Sequence, residues 1–317
     1  MQIHPHHQAE IEAPDQPRSP ARIRPITASR RLPEPAVSAQ SDPAIVRKEL
    51  ADWLRRHRRI AVLTGAGIST ASGIPDYRGA DGQWQRGSPI TWQGFIADPA
   101  LRTRYWRRSF VGWPMVSRAR PNAAHAALAD WERAGLIRGL ITQNVDALHQ
   151  QAGQQHVIDL HGRLDQVICL DCGARHHRDD IQQQLHRLYP AAGNLQVRQT
   201  PDGDAEVSEA DLPGFSPPPC PACGGLLKPD VVFFGENVPR ARLSEAERII
   251  DEADALLVIG SSLMVYSGYR FTRQAAGQQK SIALLNRGLT RADDLAAHRW
   301  QVDCGLLADI LPDDIVA

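Results

Sequence analysis

Lysine is almost missing from this chain. Lys48, Lys228 and Lys280 are the only three among 36 basic residues; the rest are arginine. That split reads first as the composition of a GC-rich bacterial genome. Net charge is missing as well, since 36 acidic residues balance the basic ones over 317 residues. Gripping nucleic acid by bulk charge needs a basic footprint against phosphate, so no nucleic-acid partner is expected. No apolar run approaches the ~20 residues of a membrane helix, so no membrane span is expected. Residues 1–25 lack an apolar h-region, and Glu10, Glu12 and Asp15 come too early for a mitochondrial transit peptide. A cytoplasmic protein of bacterial type is the expectation. Cysteine is scarce, five in all, which does not suit the disulfide scaffold of a small secreted domain.

What is present is enough apolar residue, 42%, for a buried core in one or two domains. Residues 1–43 hold eight prolines and carry no hydrophobic period, and read as a disordered arm. From Ala44 to Arg58, Val46, Leu50, Trp53 and Leu54 recur at helical spacing. Ile60–Leu63 is a continuous apolar run, as in a strand buried on both faces. Further helices are expected at 122–134, with Asn122 as N-cap, and at 244–253 and 267–276. Strands are expected at 136–142, 255–259 and 281–285. Strands alternating with helices in this way make an α/β, Rossmann-like, doubly wound parallel sheet. Residues 75–121 and 163–227 break the pattern and read as a smaller lobe inserted into a large one made of 44–74, 122–162 and 228–317.

Four cysteines form two C-x-x-C pairs, Cys169/Cys172 and Cys220/Cys223, each followed by glycine. Four thiolates make a closed tetrahedral zinc site, so the metal is expected to be structural. A redox dithiol stays the alternative. His176 and His177 lie nearby, but two complete pairs leave them no ligand role. The loop Gly65-Ala66-Gly67-Ile68-Ser69 follows a buried strand, where free backbone N–H groups favour a phosphate. Its spacing is not the G-x-G-x-x-G of hydride-transferring enzymes, and glycines that merely permit a turn would look the same. Gln143-Asn144-Val145-Asp146 ends a main strand, the position at which open α/β sheets bind ligands. An amide beside a carboxylate can read a carboxamide, and either residue can instead cap a helix. His161 is a lone histidine at the seam between the lobes, structural or catalytic. Gly260-Ser261-Ser262 and Asn286 follow later strands.

In this order, these motifs resemble those of the sirtuin family, together with Gly73-Ile-Pro75-Asp76-Tyr77-Arg78 and the segment Lys228–Glu236. The resemblance spans roughly residues 44–311. The stretches 104–114, 169–172, 201–204, 265–271 and 290–296 look like its class II branch, which includes the mitochondrial sirtuin 4 and bacterial relatives. The resemblance implies an NAD-dependent protein-lysine deacylase. The acyl carbonyl oxygen attacks the nicotinamide ribose as nicotinamide leaves, and O-acyl-ADP-ribose and free lysine result. It implies that NAD is consumed, that one zinc is structural, and that the partners are NAD and acyl-lysine proteins, met by a monomer. His161 would be the general base, with Asn144 and Asp146 holding the carboxamide. Gly65, Ala66, Gly67, Ile68, Ser69, Pro75, Asp76, Tyr77, Arg78, Gln143 and Val145 would line the cofactor, and so would Gly260, Ser261, Ser262, Asn286, Arg287, Gly288 and Cys304. The substrate would lie as an added strand on Val231, Val232, Phe233 and Phe234. Tyr105 and Arg108 share a helix face. They resemble the pair that clamps acidic acyl groups in some sirtuins, so longer or carboxylated acyl groups are expected to be preferred over acetyl. A solvated basic face is the other reading of that arginine-rich stretch. Protein mono-ADP-ribosylation and a silent NAD-sensing or zinc-ribbon module are the alternative functions.

Overall fold

The computed structural model describes residues 41–76, 90–190, 192, 195 and 207–316. Most of the expected arm, the predicted cofactor residues Tyr77 and Arg78, and the stretch 201–204 lie outside the described residues. Ser41–Pro43, expected in the arm, belong to the folded chain. The Ser41 N–H donates to the Gln301 carbonyl, and the Asp42 carboxylate accepts from Ala44 N at 2.8 Å. That bond caps helix α1 (Pro43–Arg55), whose proline occupies the first turn, where its missing N–H costs nothing.

Strand β1 (Ile60–Thr64) is buried along its whole length. It pairs in parallel with β2 (Ile137–Thr142) on one side and β7 (Ala255–Ile259) on the other. With β3 (Val157–Asp159), β8 (Ser281–Leu285) and β9 (His298–Trp300), these make a six-stranded sheet ordered β3-β2-β1-β7-β8-β9, every pairing parallel. Both faces are covered. Ile60, Val62 and Leu257 face α1 and helix α4 (Ala123–Arg133). Ala61, Leu63 and Val258 face helices α7 (Arg240–Glu252) and α8 (Tyr266–Gly277). The order reverses between β1 and β7, which opens a crevice at the carboxyl ends of those strands, at Thr64 and Ile259.

A second core lies beside a three-stranded antiparallel sheet, β5-β4-β6, built from β4 (Gly162–Cys169), β5 (Arg175–His177) and β6 (Leu227–Val231). Helices α2 (Trp92–Ala97), α3 (Pro99–Arg118) and α6 (Arg178–Leu188) supply Phe95, Trp106, Phe110, Trp113, Ile181 and Leu185 to it. Arg178 is wholly buried there, its guanidinium 5.5 and 5.2 Å from the Trp106 and Trp113 rings and donating to Gln182 and the Ser109 carbonyl. The extended segment from Lys228, expected with the large sheet, is therefore tied by its hydrogen bonds to the small one. It is buried along nearly its whole length, as strands of either sheet can be, and pairing decides between them.

Candidate active site

The loops that follow β1 and β7 cross backbone to backbone. The Gly67 N–H donates to the Gly260 carbonyl at 2.8 Å, and a Cβ on Gly67 would stand 2.9 Å from Gly260 Cα. Gly260 also sits at φ +60°, so neither position has room or backbone freedom for a side chain. The residues after Gly65 form two short 3-10 turns, Ala66–Ile68 and Thr70–Ser72. Ile68 is buried, and its carbonyl accepts from Asn122 at 2.7 Å.

One polar chain joins the predicted residues around this crossing. Gln143 donates to the Ser261 hydroxyl at 2.7 Å. Asn144 donates to the Gly65 carbonyl and to Ser69 Oγ, both at 3.1 Å. The Ser69 hydroxyl donates to Asp146 at 2.7 Å, and the other oxygen of Asp146 accepts from Leu148 N at 2.9 Å. Asp146 thus braces the turn into the short helix α5 (Leu148–Gln151), as a cap would. Burial pushes its carboxyl above the ordinary range, against the pull of those two donors. Val145 passes its carbonyl to Leu164 N. Pro75 and Asp76 lie half-buried where the described segment ends.

Beneath this chain is a layer the sequence did not reveal. The Thr64 hydroxyl donates to Thr142 Oγ1 and accepts from His149 Nε2, both at 2.9 Å, and Thr142 also accepts from Asn144 N at 3.1 Å. The His149 ring lies 4.8 Å from that of His125, and both are fully buried. Burial lowers His125 to about 4 and takes His149 well below its ordinary value. These two rings are neutral packing that supports the strand ends from below.

His161 follows β3, and its geometry fixes its tautomer. Nδ1 stands 3.0 Å from the Gln143 carbonyl, which can only accept, so Nδ1 carries the hydrogen. Nε2 therefore holds the free lone pair, and Ser267 Oγ, 2.7 Å away, donates to it. Burial, followed by the nearby Arg242, lowers the imidazole below its ordinary value, while the Gln143 carbonyl works the other way. Ser267 is a site residue that sequence reasoning did not single out. The His161 carbonyl accepts from Val232 N at 2.8 Å, so the histidine is anchored to the predicted substrate segment. Val231 and Phe233 are buried, and Phe234 is partly exposed, with its carbonyl bonded to Trp92 N. Tyr105 packs edge-on against Phe233 at 5.4 Å and against Phe95 at 5.7 Å, which joins the two predicted substrate elements; Arg108 lies half-buried on the same helix.

The arginine-rich helix α3 is not a simple solvated face. Arg102 donates to the Phe95 and Ile96 carbonyls at the end of α2, and Arg107 is buried. On the far side of the crossing, Asn286 follows β8 and donates to the Gly288 carbonyl at 2.9 Å. Arg287 pairs with Asp303 at 2.5 Å, and the Ser262 carbonyl accepts from Arg291 N. Cys304 is buried, and burial raises its thiol to about 12, so it offers its backbone and no thiolate.

The four paired cysteines converge. Their sulfurs all lie within 4.8 Å of one another. Tetrahedral zinc with bonds of ~2.3 Å sets ligand sulfurs about 3.8 Å apart. Cys169–Cys223 and Cys172–Cys220 stand at 3.6 and 3.9 Å. The neighbouring sulfurs share their titration: Cys169 is lowered to about 7, led by the Cys172 backbone N–H, while Cys223 is raised to about 12 by the sulfurs around it although the Gly225 N–H favours its thiolate. A cation relieves this crowding, so the residues fit a structural zinc that closes the small sheet. His176 does not enter the tetrahedron; its Nε2 lies 3.4 Å from Cys220 Sγ.

A doubly wound sheet with a buried amide and carboxylate at its switch point, beside a small sheet whose four cysteines are placed to hold zinc, fits a nucleotide-using enzyme class. The sequence comparisons then give the family. The Sir2 family profile matches residues 65–267, and the chain belongs to that family. A Xanthomonas axonopodis pv. citri protein named NAD-dependent protein deacetylase is 53% identical over 83% of this chain and 89% of its own length. A Bradyrhizobium diazoefficiens protein named NAD-dependent protein deacetylase 2 is 51% identical over 83% and 97%. Among solved structures, Sir2 with p53 peptide and NAD+ superposes with a TM-score of 0.66 at 33% identity, covering 83% of this chain and 95% of that one. Sir2 bound to acetylated peptide gives 0.65 at 32%, with the same coverage. No helix among the described residues is long and apolar enough to cross a membrane.

Proposed function

We propose that this chain is a class II sirtuin that removes acyl groups from protein lysines in the bacterial cytoplasm, consuming NAD and preferring longer or carboxylated acyl groups to acetyl. The observation that carries the reading is the juxtaposition of a neutral His161, lone pair on Nε2, with the buried Asn144–Asp146 pair joined to it through Gln143. The relatives named deacetylases support it.

NAD supplies an electrophilic ribose carbon and nicotinamide as leaving group. The residues of the chain do the rest. Asp146 accepts from the carboxamide NH2, and Asn144, whose two amide hydrogens bond the Gly65 carbonyl and Ser69 Oγ, holds in place the Ser69 that bonds Asp146. The crossing of Gly67 with Gly260 holds the loop after β1 against the loop after β7 at the switch point, where the phosphates would lie. Ser261, Asn286 and the backbone at Cys304 serve the ribose and adenine end. The segment 231–234 receives the peptide as a strand, with reduced thiols at the zinc cluster suited to a reducing compartment. His161 Nε2 takes a proton from a ribose hydroxyl. A neutral imidazole suits that task at physiological pH, and no protein nucleophile is needed. The preference for bulky or acidic acyl groups rests on Tyr105, which shares its helix with Arg108 and packs against Phe233 beside the peptide strand. An arginine there can clamp a carboxylate.

The test is a panel of acetyl, succinyl, glutaryl and lipoyl peptides with NAD, read by mass spectrometry, with His161→Tyr as control. NAD-dependent release of free lysine by wild type and its loss in a folded His161→Tyr are expected. No release from any peptide sinks the reading, and a clear acetyl preference refutes the acyl assignment alone.

A further inference from the structure

The first turn of helix α8 does two things at the site. Its Gly268 lies flat against the Gln143 side chain, and a Cβ there would stand 2.5 Å from Gln143 Oε1. Its Ser267 reaches His161 Nε2 at 2.7 Å. Ser267 is not spent on capping, because the N-cap position is Val265 and makes no side-chain cap bond. Its hydroxyl has one bond in hand, and that bond ends on the atom that receives the proton in the reaction.

We propose that Ser267 is a positioning residue for the general base: its hydroxyl donates to His161 Nε2, fixes the plane of the ring, and holds the lone pair until a substrate hydroxyl displaces it. The ring then has two fixed points, the Gln143 carbonyl at Nδ1 and Ser267 at Nε2. The substrate has only to exchange one hydroxyl for another at the same distance. Both partners are set by the residues 143 and 267–268, so helix α8 couples seating of the Gln143 amide to seating of the base. The inference rests on the deacylase reading above for its kinetic consequences, and on geometry alone for the bond itself.

A donor to the neutral form disfavours protonation, so removing the hydroxyl should make His161 easier to protonate. The charged groups near the ring stay in place. Arg242 of α7 is paired with Asp230 of β6, and Asp159, Arg163 and Asp165 flank it on its own stretch. On α8, Arg270 pairs with Glu247 of α7.

The experiment compares wild type, Ser267→Ala and Ser267→Thr, which keeps a hydroxyl. In the free protein, the side-chain nitrogen shifts of His161 are followed against pH by NMR. Ser267→Ala is expected to raise the midpoint by about half to one pH unit, and Ser267→Thr to restore it. With NAD and acyl peptide, kcat in Ser267→Ala should fall about 3- to 10-fold with KM for NAD held within about two-fold. The acid limb of kcat/KM should move upward with the NMR midpoint. A midpoint in Ser267→Ala equal to that of wild type overturns the inference, and so does a folded Ser267→Thr as displaced as the alanine variant. If wild type turns over no acyl peptide, the functional reading fails while the titration still decides the bond.

Discussion

The buried pair His125–His149 should make this fold acid-sensitive, and one substitution isolates the effect. His125 is wholly buried, and burial lowers its pKa to about 4 from 6.5. The unfolded chain therefore binds a proton that the native state refuses, and stability falls as pH drops from about 6.5 toward about 4. For those two values the loss is about 2 kcal/mol between pH 7 and pH 5, and about 3 kcal/mol by pH 4. His149 acts in the same direction. His125 also accepts from Asn122 N at 3.3 Å and completes the capping box of α4. Glutamine can make that bond and cannot titrate, so His125→Gln keeps the cap and removes the proton site. Urea unfolding at pH 7, 6, 5 and 4, read by circular dichroism, should show the stability of the variant falling less steeply by about 2 kcal/mol over the first two units. Carboxylates cancel in the difference. Parallel curves for the two proteins would mean that His125 is charged in the native state and that the packing argument is wrong.

Three further outcomes are expected. Cys220→Ser, or chelation of the wild type, should empty the zinc site and shift the tryptophan emission of the small core, since Trp106 donates to the Leu227 carbonyl on β6; metal content with no change in emission on chelation would contradict a structural role. Asp146→Asn should cut NAD-dependent nicotinamide release roughly 10- to 100-fold, the scale of one charged hydrogen bond. The same substitution should not lower the melting temperature at pH 7, because a carboxyl whose pKa burial raises loses stability as pH rises through its ordinary range, and asparagine removes that loss. A lower melting temperature would show that the carboxylate stabilises the fold. Gly268→Ala should push the Gln143 amide off Ser261 and raise KM for NAD with the fold intact; an unchanged KM would remove that contact from cofactor binding.

The large sheet was legible because its strands are apolar runs between helical periods, and strands 255–259 and 281–285 lie where the runs lie. Asn122 was legible as a cap for a similar local reason. The zinc cluster followed from cysteine spacing, and sulfur convergence matches it. What did not show in the sequence depends on contacts between distant residues. Leu227–Val231 has the composition of a strand of either sheet, and only its pairing with β4 assigns it. The Ala66–Ser72 stretch is bounded by Gly65 and Gly73 and forms two 3-10 turns, and the contact of Gly67 with Gly260 joins residues far apart in the chain. Ser267 is separated from His161 by 106 residues, and His125 from His149 by 24, so no local pattern could pair them.

The scarcity of lysine also takes on a structural sense. Arginine can replace lysine freely where a side chain only has to be charged and solvated, and composition bias then decides. Two of the three lysines are not in that position. Lys228 is buried, its ammonium 3.0 Å from Glu236 and 2.6 Å from the Val231 carbonyl, with the Trp92 and Phe233 rings 5.3 and 5.2 Å away. A compact charge with three rotatable donors fits that pocket, and a planar guanidinium fork does not. Lys280 likewise closes the end of α7 by donating to the Ile250 and Asp251 carbonyls. Only Lys48, on α1, is exposed. Composition therefore accounts for the arginines, and packing accounts for two of the three lysines that stay. Glu236 in turn accepts from Phe233 N at 2.8 Å, so the retained Lys228 holds the same segment, 231–236, on which the proposed peptide strand would lie. On the proposed activity, the protein keeps two of its own lysines locked into structure and only Lys48 at the surface.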